Sequence, residues 1–251
     1  MRHDAVMPAG RIVLAHGFTQ TARSWSSLER LLAERSPGVD MLAVDLPGHG
    51  NSTARADADL WASAAHLVAV GGPATYVGYS MGGRVALHAA IAHPAEVRAL
   101  VLIGATAGID ADDERADRLA ADERLADHIE QVGVATFVDE WLTNALFAGL
   151  TDASANRADR LRNTATGLAA SLRSTGTGTQ EPLWTRLGEI HCPVLVLVGE
   201  HDAKFSELGH RLATGLPHAT LTVIADAGHS VHLEQPVATA ETIATWLRTR
   251  R

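Results

Sequence analysis

The chain lacks several things that would assign it elsewhere. It has one cysteine, Cys192, in 251 residues, which excludes a disulfide framework and a multi-thiolate zinc site. It has one lysine, Lys204, and no stripe of arginines; acidic residues outnumber basic ones 29 to 21, for a net charge of −8. Nucleic-acid binding needs clustered cations to neutralise phosphates, so that class of partner is set aside. The longest apolar candidate, 99–109, falls far short of the ~20 residues that span a bilayer. Residues 1–11 carry no apolar stretch of the kind an export signal needs. The expectation is a cytoplasmic protein with no membrane partner, a monomer or small homo-oligomer. The spacing from His201 and Asp202 to His210 does not suit zinc, and no dinucleotide fingerprint occurs, so neither metal nor cofactor is expected.

What is present is an ordinary globular composition, 46% hydrophobic and 20% charged, in a chain long enough to bury a sizeable core. Short apolar runs alternate with helical patterns, as in a mainly parallel sheet flanked by helices. The runs are 11–16, 41–45, 75–79, 99–103, 194–199 and 220–224. They are nearly continuous in apolar residues, as expected of strands buried on both faces. Helical spacing covers 25–34, 81–93 and 237–247, with Pro94 and Pro236 as a stop and a start. The alternation breaks from 108 to 186. There the sequence is rich in Asp, Arg and Ala, with apolar residues at helical spacing. It reads as an all-helical lid inserted into a core of 1–107 and 187–251, with the glycines of 176–179 as a flexible exit.

Three loops carry the chemistry. Gly78-Tyr79-Ser80-Met81-Gly82 is a G-x-S-x-G turn between a strand and a helix, a setting that strains the serine backbone and exposes its hydroxyl. The N–H of Met81 then points where an oxyanion would form, and Phe18, after the first strand, is the candidate second donor. Asp202 and His229 lie just beyond the last two strands, at the sheet edge where such folds bind ligands. The order Ser, Asp, His suits a serine that gives its proton to an imidazole oriented by a carboxylate. Glu200 competes for the acid role, but Asp202 stands farther out on the loop.

With these residues the chain resembles the α/β-hydrolase superfamily over nearly its whole length. That pattern assigns Asp45-Leu46-Pro47-Gly48-His49 to a structural turn. Within the superfamily it is most similar to the 2-succinyl-6-hydroxy-2,4-cyclohexadiene-1-carboxylate synthases of menaquinone biosynthesis. The likeness rests on Gly78–Arg84, on Asp202-Ala203-Lys204-Phe205, on Phe137, Trp141 and Phe147, on Leu161-Arg162-Asn163, and on Ala227–Pro236. The resemblance implies substrate contacts at Tyr79, Arg84, Arg118, Trp141, Phe147 and Arg162. It also implies an elimination: Ser80 acts as a general base, pyruvate leaves an enolpyruvyl cyclohexene, and arginine forks hold a polyanionic small molecule.

Other readings stay open at this point. The same triad would serve a carboxylesterase, a thioesterase or a carbon–carbon bond hydrolase, with Ser80 as nucleophile. A ligand-binding protein on the same fold is the non-enzyme alternative. Cations converging on the pocket favour the elimination; solvent-facing arginines favour a plain esterase.

Overall fold

The structure is a computed structural model, and it describes residues 10–53 and 56–249. The segment 1–9, most of the stretch read for an export signal, lies outside the described residues. Six strands, β1 (Ile12–Ala15), β2 (Met41–Val44), β3 (Ala74–Tyr79), β4 (Val97–Ile103), β5 (Val194–Gly199) and β6 (Ala219–Ile224), form one sheet in the order β2-β1-β3-β4-β5-β6. Every pairing in it is parallel.

The period-two alternation of side chains divides the core in two. Val13, Tyr76, Leu100, Leu102 and Val196 face one side, beneath α2 (Leu60–Gly71), α3 (Met81–Ala92) and α8 (Ala203–Gly215). Ile12, Leu14, Val77, Val101 and Leu195 face the other, beneath α1 (Ser26–Arg35) and α9 (Pro236–Arg248). Burial on both faces holds for the inner strands and fails at the edges. In β6 Thr220 and Val223 are exposed, and in β2 only Val44 is fully buried. An outermost strand has a neighbour on one side only, and short flanking helices leave part of its surface wet.

Between β4 and β5 the described residues are helical or irregular. They comprise α4 (Asp112–Leu142), α5 (Asp152–Ala155), α6 (Arg157–Arg160) and α7 (Ala165–Thr175). A break at Gly133 (φ 80°, ψ 164°) divides α4, and the two halves fold with α7 around a small core of Ile129, Phe137, Leu168 and Leu172. The exit from α7 is not the flexible linker the glycines suggested. Gly178 N–H donates to the buried Asp122 carboxylate at 3.2 Å, and the carbonyl of Thr175 is taken up by Arg84. Leu183 already belongs to the sheet's core and donates to Ala107 O at 2.7 Å.

Candidate active site

Ser80, Asp202 and His229, the expected triad, sit on loops at the carboxyl ends of strands. Ser80 follows β3 and precedes α3, with φ 50° and ψ −109°, a backbone region that L-residues other than glycine rarely occupy. The turn is held by Ser80 N–H donating to Ile103 O at 2.8 Å. Gly82 permits it, because any Cβ there would run into the carbonyl of Ala15. Asp202 is the N-cap of α8: Oδ1 accepts from Phe205 N–H at 3.2 Å, which leaves Oδ2 to accept from His229 Nδ1 at 2.7 Å. Glu200, the competing acid, is exposed and accepts instead from Asp226 N–H.

His229 is buried, with Phe205 packed on its ring at 4.2 Å between centroids. Its Nε2 has no hydrogen-bond partner among the described residues. The structure therefore joins Asp202 to His229 but makes no hydrogen bond from Ser80 to His229; both line the same cavity. The loop carrying His229 is clamped by Glu234, which accepts from Gly228 N–H at 2.7 Å and Ser230 N–H at 2.8 Å.

That cavity measures about 320 Å³, the lower end of the range for small-molecule sites. Phe18 and Met81 line it. Met81 is the first residue of α3, so its N–H has no acceptor within the helix. Phe18 N–H likewise has no protein acceptor among the described residues. The turn that carries Phe18 is held by Gln20, whose Oε1 accepts from Gly17 N–H at 3.1 Å, and Thr19 adopts φ 68°. Asp45, His16 and His49 have structural tasks. Asp45 accepts from Ala22 and Asn51 N–H, His16 Nε2 accepts from Leu46 N–H, and His49 stacks edgewise on His16 and Phe18.

Of the residues expected at the substrate, Arg84, Arg118 and Trp141 line the cavity. Arg84 is buried and donates to Thr175 O at 2.6 Å, yet no carboxylate lies within ion-pair distance of it among the described residues. Burial pushes its pKa down to about 10, where it remains charged at neutral pH. Arg118 is half-exposed and uses Nε for Asp122 at 2.7 Å. Of the neighbouring arginines, Arg115 turns to Asp112, and neither it nor Arg124 reaches the cavity.

The other three do not line it. Tyr79 is buried behind the wall, its hydroxyl 2.6 Å from Ser230 Oγ and its ring against His229 and His232. Phe147 is buried behind Trp141, 5.7 Å between centroids, and supports that ring. Arg162 is exposed. Its place in the fold's interior is taken by Arg160, which is buried, donates to Thr19 Oγ1 and Ala155 O, and lies over the Phe147 ring. The reason is local. These residues follow a left-handed Asn156 in a four-residue helix, and that turn aims Asp159, Arg160 and Asn163 inward and Arg162 outward. Sequence reasoning also missed Thr177 and Lys204, both on the cavity wall.

Among the described residues one group could offer three metal-ligand atoms together, Glu200, His201 and Asp226, outside the triad and wholly exposed. Solvated carboxylates and an imidazole so placed require no ion to explain them.

Residues 12–242 match the alpha/beta hydrolase family. The chain belongs to that family. The family assignment accounts for the parallel sheet, the strained serine turn after β3 and the Ser, Asp, His order on its carboxyl edge. Among named relatives, a Salmonella agona (strain SL483) protein called 2-succinyl-6-hydroxy-2,4-cyclohexadiene-1-carboxylate synthase is 34% identical, covering 99% of each chain. A Bacillus subtilis (strain 168) protein provisionally given the same name is 35% identical over 90% of this chain and 85% of its own. Among solved structures, MenH from S. aureus superposes with a TM-score of 0.89 at 28% identity, covering 98% of this chain and 96% of its own. Among the described residues no helix is long and apolar enough to cross a membrane.

Proposed function

We propose that the protein is a cytoplasmic carbon–oxygen lyase, a 2-succinyl-6-hydroxy-2,4-cyclohexadiene-1-carboxylate synthase, and that residues 108–186 form the lid over its site. The observation that carries this reading is Arg84: a buried cation on the same cavity wall as Ser80, which among the described residues meets carbonyl oxygens and no carboxylate. Neutral carbonyls offset only part of the cost of burying a charge, and a substrate carboxylate relieves more of it. The names borne by relatives over nearly the whole chain support the same conclusion.

The substrate is a cyclohexene bearing a carboxylate, a succinyl ketone and an enolpyruvyl ether. As it binds, water leaves and the Ser80–His229 pair tightens, as catalytic hydrogen bonds do on complex formation. His229 Nε2 takes the Ser80 proton while Asp202 holds the imidazole tautomer from the other side. The Ser80 alkoxide removes the ring proton α to the ketone, and the N–H groups of Phe18 and Met81 stabilise the developing enolate oxygen. The electron pair moves into the ring to form the diene as the carbon–oxygen bond to the enolpyruvyl group breaks. The proton on His229 passes to the departing enolpyruvate, which tautomerises to pyruvate. Serine is regenerated without an acyl-enzyme.

Pyruvate release from the enolpyruvyl cyclohexene, followed with a coupled dehydrogenase, tests the reading. Wild type should release pyruvate well above the spontaneous rate, and Arg84→Met should lose about 100-fold in kcat/KM, the cost of unpairing one buried charge. A folded wild type that releases none overturns it, and so does an Arg84→Met variant that works as well as wild type.

A further inference from the structure

The chain's single lysine has no part in the mechanism above. Lys204 is the second residue of α8, and it lines the cavity beside Phe205 and His229. Its placement goes against local electrostatics. The aligned peptide dipoles give a helix a partial positive charge at its N-terminus, so a first turn favours carboxylates and disfavours cations. The side chain is exposed to solvent, with Glu207 one turn along the helix. Among the described residues Lys204 makes no ion pair and no hydrogen bond, and its ammonium stands 5.9 Å from the centroid of the Phe205 ring. A cation set against the local dipole preference on a cavity wall is the kind of residue a binding site retains.

Topology adds what the ammonium faces. Arg84 lies on the helix that leaves β3, Lys204 on the helix that leaves β5, and β4 separates the two strands. Two steps of about 4.8 Å across a sheet set those exits roughly 10 Å apart. A ligand that reaches from Arg84 past Ser80 to Lys204 needs anionic groups at well-separated positions. The expected third cation, Arg162, points to solvent instead.

We propose that Lys204 is a specificity-determining residue that pairs with a substrate carboxylate other than the one Arg84 holds. An ammonium on a flexible stem forms a point-like contact that a substrate can enter and leave, unlike the fixed fork of an arginine. Because Phe205 packs both under Lys204 and against His229, the bound carboxylate is registered against the imidazole. The identity of the substrate rests on the elimination reading; the anionic class of the ligand does not.

The test compares wild type, Lys204→Met and Lys204→Arg in two assays. One is steady-state pyruvate release. The other is the rate at which a neutral aryl fluorophosphonate labels Ser80, with and without citrate as a tricarboxylate probe. Lys204→Met should raise KM about tenfold with little change in kcat, and Lys204→Arg should recover most of it. Citrate protection, read for each variant as the ratio of its labelling rates with and without citrate, should weaken about tenfold in Lys204→Met. An unchanged KM with unchanged protection overturns the proposal, and so does slowed labelling in both variants, which marks a structural role. If wild type forms no pyruvate while citrate protection still depends on Lys204, the elimination reading fails and the anion-binding role stands. If citrate protects wild type and Lys204→Met equally, or protects neither, the role of Lys204 is overturned whatever the substrate.

Discussion

Single residues in this site are held by contacts that leave little slack. Gly104 shows how little: it has φ 53°, and a Cβ added to it would stand 2.8 Å from Cε1 and 3.0 Å from Nδ1 of His229. Gly104→Ala should therefore push the imidazole out of line and lower kcat about 100-fold, the usual consequence of misplacing a catalytic group by an ångström. The left-handed backbone adds a stability cost of about 1 kcal/mol. Steady-state kinetics beside a thermal melt would check both, and near-normal kcat would mean that the ring has room to move. The places of Ser80, Asp202 and His229 were legible in the sequence, because each lies within five residues of the end of an unmistakable strand and loop position does the assigning. Arg162 was not. Its inward neighbour Arg160 differs only in where a four-residue helix happens to start, and no periodicity is long enough to report that.

Among the elements, the oxyanion turn and the helical insert are strapped together. Thr21 donates through Oγ1 to Asp159 Oδ1 at 2.6 Å and through its N–H to Oδ2 at 3.3 Å, and Asn163 Nδ2 donates to Thr19 O at 2.6 Å. Arg160 adds its contact to Thr19 Oγ1. These bonds hold the left-handed Thr19 next to the Phe18 N–H. Asp159→Ala should loosen that turn, lowering kcat about tenfold, a fraction of what outright loss of an oxyanion donor costs. Hydrogen exchange should rise across 16–21 and stay unchanged in α7; unchanged exchange at the turn would show that the strap is not what fixes it. The strands were readable to within two residues at either end, since buried β-branched runs leave few alternatives. Two long helices were not read, α2 and α8. Leu60–Gly71 is apolar around much of its circumference and shows weak periodicity, whereas Ala203–Gly215 has only Gly209 and Leu212 fully buried. The caps were there to be seen: Asp59 accepts from Ala62 N–H and Asp202 from Phe205 N–H.

The molecule as a whole stores a pH dependence in histidines that lie outside the triad. Burial lowers the pKa of His49 and His232 from 6.5 to about 3 and that of His88 to about 4. Folded, these rings stay neutral in mildly acidic solution; unfolded, they take up protons. Their contribution is complete above about pH 6.5 and is lost as the pH falls toward the folded values. Three such groups give a slope of about 4 kcal/mol per pH unit near pH 5.5, with stability falling as acid is added. Urea unfolding at pH 7, 6 and 5.5 would measure it, and a slope below about 1 kcal/mol per unit would mean that the rings are wetter than their burial indicates.

In the proposed elimination Ser80 removes a ring proton and never becomes acylated. The direct measurement follows the enolpyruvyl cyclohexene with wild type and Ser80→Ala, reading pyruvate and the intact protein mass in the same samples. Wild type should release one pyruvate for each diene formed, with no mass added to the protein during turnover, and Ser80→Ala should fall to the spontaneous rate while keeping its fold. Substrate-derived mass on Ser80, or pyruvate release that survives Ser80→Ala, would contradict it.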